Sequence, residues 1–499
     1  MRTAGAISIL ALSAGSAFGQ EALSRDQQIA ELKKQVAALS AQIDSLQSPA
    51  AATLEARLDG AVRNSPAEAL REPRRLNISA PGTDGINIGG LIHIRGDYWG
   101  NYHSSVGKDD VNSFGAEAQL GFDARVSEKT SVGITMHVAD VWGDNTATGL
   151  GDTTRLTGDA SSSGGESFDA QRIVLKVADI YNTGVDMTAG RQAIEFGKER
   201  VIGDDDWRLG RTSFDGFRFD NDLGDGAGKW TIVALRLNDS DNFAGGELTP
   251  AGGVSTVDNA DLYGAYYTTS MSGVGGVDLY VFHLEDMNYS DAGAVGRTRF
   301  TTYGARWASE DMGGICFDVE GVTQFGEVMG DRTHNFGFGT YAIHAGACFK
   351  PSNIEFFDSF HVGYDYATGG DDASENYLQI APSLHGWFGL TDFFGWSNIQ
   401  HWTVGTSYKM GDGTVCLGYH WNRRATTDAG FVGYNYSDAT SGGNKALGQE
   451  ADLTYTMECS KSTSVGMGVG YFFAGNGFHD MTGVSGDMVY GYFAATTRF

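Results

Sequence analysis

The chain has 499 residues, of which 62 are acidic and 35 are basic, so its formal net charge at neutral pH is -27. This acidic balance argues against nucleic acid as a partner, because the phosphates would be repelled. Glycine is abundant at 71 residues, the 41% of hydrophobic residues never gather into long blocks, and four cysteines are too few for a disulfide scaffold.

Residues 1–19 are predicted to be a secretory signal peptide. Arg2 precedes an uncharged apolar run over residues 4–18, and the small residues Ala17 and Gly19 suit cleavage after Gly19. A transmembrane anchor is the alternative, but the run is shorter than the ~18 to 20 apolar residues that a membrane-spanning helix needs. We therefore expect the chain to be exported.

Residues 20–48 have the spacing of a short α-helical coiled coil. The apolar residues fall alternately three and four positions apart, at Ile29, Leu32, Val36, Leu39, Ile43 and Leu46. A single amphipathic helix docked on a core is the alternative, although docking favours a wider apolar face than this seam provides. We expect the chain to associate with itself through residues 29–46.

Residues 49–85 form a predicted linker. It contains four of the chain's seven prolines, at Pro49, Pro66, Pro73 and Pro81, and a group of arginines that includes Arg63, Arg71, Arg74 and Arg75. Prolines at this density interrupt regular structure and stiffen the chain. The basic residues leave contact with the cell wall or with another partner open as a further role.

From residue 86 to the end of the chain the apolar residues recur with a period of two, which indicates β-strands. In the segment SFGAEAQLGFDARV, Phe114, Leu120 and Phe122 share one face, whereas Glu117 and Asp123 share the other. Long alternating segments with short turns on one side and long polar loops on the other are typical of a transmembrane β-barrel.

These segments predict an all-β transmembrane fold, an antiparallel outer-membrane β-barrel of about 18 strands over residues 86–499. An even number of strands places both ends of the barrel in the periplasm, together with the coiled coil. We expect the barrel to lie in the outer membrane of a Gram-negative-type bacterium, surrounded by lipid. We also expect a homotrimer, because lateral packing of barrels would outweigh the preference of so short a coil for two strands.

Two pairs of cysteines can be compared with this layout. Cys316 and Cys348 lie at equal distances from a predicted hairpin apex and on the lumen face, which predicts a direct cross-strand disulfide. Cys416 and Cys459 are nearly symmetric about a second apex, but their faces disagree, so a second disulfide would need a β-bulge. The spacing of cysteine and histidine does not support metal binding.

The last segment, MVYGYFAATTRF, alternates in the same way and ends on an aromatic residue. Val489, Phe493, Ala495 and Phe499 share one face. A terminal strand of this form resembles the signal that outer-membrane barrels present to their insertion machinery, and it supports the barrel independently of the strand count.

Two blocks of the sequence resemble the alginate-export family of outer-membrane channels. One block spans residues 364–409 and contains YDYATGGDD, WFG, FGW and SYK, and the other spans residues 189–219 and contains AGRQ, GDDDW and FDGF. The resemblance covers roughly residues 86–499, and it implies an eighteen-stranded barrel that carries a solute through the outer membrane. The coiled coil is instead similar to the periplasmic coil of oligomeric sugar porins and general porins.

Charged residues of both signs occupy the positions predicted to face the lumen. These pore-lining candidates are Arg95, Asp97, Glu117, Asp123, Arg125, Arg172, Lys176, Arg218, Arg236, Arg306, Asp318 and Glu320. Family members that export acidic polysaccharide are similar in lining the lumen with arginine, whereas opposed charges set up a transverse field that orients small polar solutes. Some of these pairs could instead serve only to stiffen the wall.

The predicted function is therefore a porin for passive passage of ions and small hydrophilic solutes. An exporter of an acidic polysaccharide such as alginate is one alternative. A structural barrel that tethers the outer membrane to the cell wall through its coiled coil is another.

The stretch SLHGWFGLTDFFGWSN, residues 383–398, falls in a long connection between two predicted strands. Its aromatic residues are too many for a freely solvated loop, so we expect it to fold into the barrel mouth and form a constriction. The constriction candidates are His385, Trp387, Phe388, Asp392 and Trp396. The acidic run GDDDW, residues 203–207, is by contrast expected on a solvated loop.

The sequence lacks a grouping of nucleophile, base and acid that would indicate an enzyme. His93, His137, His344 and His420 lie on separated predicted strands, and the run of aspartates at residues 204–206 has no repeated ligand spacing. We therefore predict no catalytic residues, no metal site and no cofactor.

Overall fold

The computed structural model describes residues 76–78, 85–101, 110–143, 167–224, 226–237, 260–291, 294–327, 335–336, 340–351, 354, 356–371, 376–383, 385–432, 437–438, 442–484 and 486–499. The predicted signal peptide, the coiled coil and most of the linker lie outside these residues. Among the described residues, no helix combines the length and the apolar character needed to cross a membrane.

Eighteen long strands form one antiparallel sheet in chain order. They are β1 Ile86–Gly100, β2 Val111–Arg125, β3 Thr130–Gly143, β4 Ser167–Val177, β5 Val185–Gln192, β6 Phe214–Asp222, β7 Lys229–Leu237, β8 Ala260–Met271, β9 Gly275–Asp291, β10 Ala294–Ala308, β11 Ile315–Glu327, β12 Tyr341–Phe349, β13 Phe357–Ala367, β14 Ile399–Met410, β15 Gly413–Arg424, β16 Ala446–Ser460, β17 Thr463–Ala474 and β18 Met488–Arg498.

The sheet closes because β1 pairs with both β2 and β18. The closing register runs from Leu91 opposite Arg498 to Gly100 opposite Val489. Beyond β18, the backbone N–H groups of Phe499 and Gly90 donate to each other's carbonyl oxygens at 3.0 and 2.9 Å. Closure satisfies the backbone groups that an open edge would expose to lipid. The predicted eighteen-stranded antiparallel barrel is confirmed.

Short segments accompany the barrel. Leu76–Ile78, within the predicted linker, pairs with the first residues of β1, and Asn335–Phe336 pairs with the end of β11. A 3-10 helix, Ile180–Asn182, lies in the turn before β5. The helix α1, Asn476–Thr482, precedes β18 and buries Phe478 and Met481.

Alternation along each strand separates a lipid face from a lumen face. On β1, Ile92 and Ile94 are exposed on the outside, whereas His93, Arg95 and Asp97 are buried on the inside. A membrane barrel requires this pattern, because charges that face hydrocarbon are costly while those that face the lumen can be paired or hydrated.

The two ends of the barrel differ in the length of their connections. At one end the strands are joined by short turns such as residues 272–274, 411–412 and 461–462. Apart from residues 292–293 between β9 and β10, longer connections lie at the other end, which in outer-membrane barrels is the external side. Two of these fold inward, and we name them L3, residues 193–213, and L7, residues 368–398.

Cys316 and Cys348 are direct cross-strand partners on β11 and β12 and form a disulfide, with their Cα atoms 5.0 Å apart. The second predicted disulfide is wrong, because Cys416 and Cys459 are both free. Cys416 is in register with Thr454 of β16, and Cys459 lies five residues further along that strand. A single bulged residue would not close an offset of five residues, so the two cysteines stay apart. Because five is an odd number of positions, alternation also assigns them to different faces.

A candidate constriction inside the barrel

Loop L3 turns into the barrel directly after β5. Its side chains Ile194, Ile202 and Leu209 are fully buried. Phe196 stacks on Tyr266 of β8, with ring centroids 4.5 Å apart. Apolar packing against the inner wall therefore holds a loop whose sequence is rich in charged residues.

Loop L7 brings its aromatic stretch into the same interior. The buried side chains are Trp387, Phe388, Leu390, Phe393, Phe394 and Trp396. Phe393 packs on Trp99 of β1 at 5.7 Å and on Phe472 of β17 at 5.1 Å between ring centroids. The aromatic core of the protein thus lies inside the barrel, where it narrows the lumen.

The two loops bind each other through their backbones. Ile202 of L3 and Ala381 of L7 form a parallel β-bridge. The N–H of Gly203 donates to the carbonyl of Ala381 at 2.7 Å, and the N–H of Ser383 donates to the carbonyl of Glu199 at 3.0 Å. The two loops are far apart in the sequence, and this contact joins them into one inward-folded unit.

Ion pairs anchor L3 to the lumen wall. Arg200 donates to Glu320 at 2.8 Å and lies 3.4 Å from Asp318, both on β11. Arg211 donates to Glu117 of β2 at 3.0 Å. All these side chains are buried or nearly so, and a buried charge is tolerated only when it is paired. L3 is therefore fixed at two points of the wall.

A stack of planar groups joins β1, L3 and L7. The Arg95 guanidinium lies 4.0 Å from the ring centroid of Trp207 and donates to the Trp207 carbonyl at 2.6 Å. Trp207 also stacks on the parallel ring of His385, with ring centroids 3.5 Å apart. His385 in turn is 2.6 Å from Asp392, which also accepts the N–H of Gly386. Two constriction candidates therefore orient each other and support L3.

Carboxylates on β16 anchor L7. Glu450 accepts the N–H of Thr391 at 2.8 Å and its hydroxyl at 2.5 Å. Asp452 accepts the N–H of Leu390 at 3.3 Å. The residue Gly389 has φ +121 and approaches Glu450 so closely that a Cβ atom would meet its carboxyl oxygens. A glycine is therefore required for the loop to reach the wall.

A chain of contacting histidines and carboxylates runs from Asp452 along the wall. Asp365 of β13 contacts His344 at 2.7 Å and His401 at 3.1 Å. His401 contacts His420 at 2.9 Å, and His420 lies 3.2 Å from Asp452. These five residues on β12 to β16 form one connected polar band beside the constriction.

The acidic run in L3 is buried, contrary to the solvated loop predicted for it. Asp204 and Asp205 are 8% and 3% exposed. Asp205 pairs with Arg208 at 2.9 Å, and Asp204 lies 3.7 Å from Arg211. Burial, together with the nearby carboxylates of L3, raises the pKa of the Asp204 carboxyl well above its usual value.

The structure places eleven of the twelve pore-lining candidates on the inner face. They are Arg95, Asp97, Glu117, Asp123, Arg125, Arg172, Lys176, Arg218, Arg306, Asp318 and Glu320. Most pair with one another, as Arg306 does with Asp318 at 2.6 Å and Arg172 with Asp123 at 2.8 Å.

Arg236 is wrong as a pore-lining residue. Along β7 the buried positions are Thr231, Val233, Leu235 and Leu237, so Arg236 points outward with its side chain 51% exposed. Polar character marks the lumen face only within the hydrocarbon layer, and Arg236 lies near the external end of its strand.

Several residues of the constriction were not found in the sequence. In L3 they are Arg200, Trp207 and Arg211, whose partners lie on distant strands. On the wall, alternation could have found Asp365 and His401. Asp365 lies between the outward residues Tyr364 and Tyr366, and His401 lies between the outward residues Gln400 and Trp402. The sequence contained no comparable signal for L3.

Between the loops and the wall lies a cavity of about 80 Å³, lined by Lys198, Arg200, His344, His361, Trp387 and His420 among others. Its wall mixes cationic, neutral and acidic groups, including Asp318 and Asp365. Among the described residues, no group of three or more histidine, cysteine or acidic side chains is arranged to hold a metal ion.

Comparisons with known proteins agree with this architecture. The profile of the family described as alginate export matches residues 144–491. OpdK of Pseudomonas aeruginosa, solved with vanillate, has a TM-score of 0.56 at 12% identity, over 83% of this chain and 98% of its own. OccK2 (OpdF) of the same organism, solved with glucuronate, has a TM-score of 0.54 at 10% identity over the same shares.

A third similar barrel is OccAB4 of Acinetobacter baumannii, with a TM-score of 0.54 at 11% identity, over 83% of this chain and 98% of its own. No curated protein matches the sequence. Identities this low show only that the fold is shared, whereas the family profile covers well over half of the chain. The chain is therefore an outer-membrane β-barrel that belongs to the alginate-export family.

Proposed function

We propose that this barrel is a passive channel for ions and small hydrophilic solutes. The observation that carries the proposal is the pairing of lumen arginines with carboxylates at the constriction. Arg95 pairs with Asp97 at 2.9 Å, Arg200 with Glu320 at 2.8 Å and Arg211 with Glu117 at 3.0 Å.

Paired charges act differently from a row of one sign. A lumen that carries acidic and basic groups side by side has a transverse field, which orients small polar solutes without holding a long polyanion. Asp278 and Asp318 flank Arg306 at 3.0 and 2.6 Å, so acidic groups outnumber the cation there. Such a wall would repel an acidic polymer.

The filling of the lumen by L3 and L7 supports a small solute. L3 and L7 fill the interior with packed aromatic side chains, and the cavity beside them measures about 80 Å³. Two barrels of similar architecture were solved with vanillate and with glucuronate, both single small molecules. We infer that the cargo of this chain is of comparable size or smaller.

The family match favours one other candidate, an exporter of an acidic polysaccharide. For that function L3 and L7 would have to leave the lumen during transport, and the lumen arginines would have to exchange their carboxylate partners for the polymer. The ion pairs that fix L3 oppose this, because breaking a buried pair is costly.

Planar-bilayer conductance separates these candidates. Under a salt gradient we expect a measurable conductance with a reversal potential close to that of a weakly selective pore, and little block by uronate oligomers. Strong anion selectivity together with block by uronate oligomers would overturn the porin proposal in favour of the exporter. A barrel without conductance would indicate the structural tether.

We also propose roles for the residues before the barrel. Residues 1–19 serve as the signal peptide, residues 20–48 as a periplasmic coiled coil, and residues 49–85 as a linker. The heptad spacing supports association into a homotrimer, and the basic linker supports contact with the cell wall.

The protein is proposed to be a transport protein and not an enzyme. The lumen histidines His344, His401 and His420 bind carboxylates or one another in a band along the wall. These contacts account for the buried histidines as structural members of the wall, since polar groups in such a site must be hydrogen-bonded.

A further inference from the structure

The outer face of the barrel carries a continuous row of charged residues across six neighbouring strands. The cross-strand register places Arg191 opposite Asp215, Asp215 opposite Arg236, Arg236 opposite Asp261, Asp261 opposite Glu285, and Glu285 opposite Arg299. We call this row, from β5 to β10, the outer charge row. Both signs are present along it.

The outer charge row faces away from the lumen. On β7 the positions flanking Arg236 are buried inside, and Ile232, on the same face, is 46% exposed. On β8 Tyr263, which follows Asp261 on the same face, is 47% exposed. The side chains of Arg236 and Asp261 are 51% and 32% exposed.

The row fixes the depth of the membrane on this side of the barrel. Arg191, Asp215, Arg236 and Asp261 each lie next to the external end of their strand. A charged side chain that faces the hydrocarbon centre destabilises a barrel, and this cost nearly vanishes at the interface. The row therefore lies at the level of the lipid headgroups.

Elsewhere the outward residues near the external strand ends are mostly aromatic. Examples among the described residues are Tyr98, Trp142, Phe168, Tyr341 and Phe473. Aromatic side chains are the usual residues at a membrane interface. The outer charge row thus takes the place of the aromatic girdle over one sector of the wall. This replacement indicates a binding partner that carries charged groups.

A groove lies under the row on the same sector. It measures about 770 Å³ and spans β7 to β12. Its outward floor is made of small residues, Ala265, Ala305 and Gly321, and aromatic residues such as Trp230 and Tyr303 stand beside them. A Cβ atom added at Gly321 would meet nothing within 4 Å, so the floor is open.

We propose that this face binds a phosphorylated glycolipid of the outer leaflet. The arginines of the row bind its phosphates, and the groove holds an acyl chain. Asp261 engages Nε of Arg236, and half of the Arg236 side chain stays exposed, so the guanidinium can bind a further anion. This inference rests on the membrane location and not on the proposed channel function.

Native mass spectrometry of the delipidated, full-length mature protein tests the proposal, with diphosphorylated lipid A as the probe and phosphatidylethanolamine as the comparison lipid. The charge variant combines Arg236→Gln with Arg299→Gln, and the groove variant is Gly321→Leu, which has space for its side chain. Lys129→Gln is the matched control, because it removes an exposed ion pair to Asp179 at the opposite end of the barrel.

We expect the charge variant and the groove variant each to weaken lipid A binding by roughly tenfold or more, and the control to leave it unchanged. Binding of phosphatidylethanolamine should change little in the charge variant. Unchanged lipid A binding in both variants would overturn the proposal. Chemical cross-linking of the same variants gives a second readout. If the variants lose cross-links between subunits and still bind lipid A, the face is a contact between copies and the proposal is overturned.

Discussion

Arg200 is the residue on which the position of L3 depends most directly. Its guanidinium serves Glu320 and Asp318 and also lies over the Trp387 ring of L7, at 4.1 Å from the centroid. Glu320 is held from its other side by the hydroxyl of Tyr280, which donates at 2.6 Å. The Arg200 side chain thus links L3, L7 and β11, and Glu320 extends this link to β9 through Tyr280.

Replacing this arginine should loosen L3 without unfolding the barrel. Arg200→Gln leaves the buried carboxylate of Glu320 without its paired cation, whereas Asp318 keeps Arg306, at a cost of about 3 to 5 kcal/mol to the docked loop. We expect a larger and noisier single-channel conductance in planar bilayers. Lys129→Gln is the control, because Lys129 forms an exposed ion pair with Asp179 at the opposite end of the barrel, away from L3. Identical traces for the two variants would contradict this role of Arg200.

Asp204 makes the docking of L3 dependent on pH. Burial first, and then Asp206, Glu195 and Glu199, raise the pKa of this carboxyl well above its ordinary value of 3.8, while Arg211 acts in the opposite direction. A carboxyl whose pKa is raised in the docked loop takes up a proton on docking. Docking is therefore favoured at low pH and weakens as the pH rises from the ordinary pKa through the raised one.

We accordingly expect conductance to increase as the pH rises above the ordinary carboxyl pKa and to level off above the raised pKa of Asp204. Asp204→Asn removes the titrating group and should flatten this dependence, because the amide stays neutral throughout. Measuring single-channel conductance of both proteins across the range checks the sign and the assignment. A variant that keeps the full dependence would show that another group controls it.

At the scale of elements, L7 is the main obstruction of the lumen. Replacing residues 385–394 by a short glycine-serine linker removes the aromatic core of the loop but leaves β13 and β14 and their register intact. We expect a several-fold larger conductance, because the lumen of a barrel this wide is limited by the loops inside it. An equal-length deletion from residues 144–166 is the control. Unchanged conductance would mean that L7 only fills a gap in the wall.

The strands could be predicted closely, whereas L3 could not. Period-two alternation predicts about 18 strands over residues 86–499 and the structure has eighteen long strands there, because one face of each strand meets lipid and the other meets the polar lumen. Nothing comparable constrains an irregular loop. The burial of Asp204 and Asp205 depends on contacts with β2 and with L7, such as the hydroxyl of Ser383 that accepts the Asp205 N–H at 2.7 Å.

The error at Arg236 has a different physical origin. Alternation assigns the face of a residue only if the environment outside the barrel is uniformly apolar. Near the external end of β7 the outside is the headgroup layer, where Arg236 can pair with Asp261 at 3.0 Å and remain exposed. Arg218, one strand earlier and deeper, was assigned to the lumen and faces it.

At the scale of the whole molecule, conduction by one barrel should not depend on the association of several barrels. Every strand of the barrel pairs with two neighbours, and closure runs through β1 and β18, so the wall is complete within one chain. The lumen contacts of L3 and L7 are likewise made within the same chain. A single barrel should therefore conduct by itself, whatever its oligomeric state.

Deleting residues 20–48 from the mature chain tests this separation. We expect chemical cross-linking to show loss or weakening of the proposed trimer, because the proposed coil is removed, while the conductance of each channel stays the same. Replacing Leu32 and Leu39 by alanine within the full-length chain is a milder version that keeps the linker and the chain length. A fall in unitary conductance in either variant would show that neighbouring copies contribute to the pore.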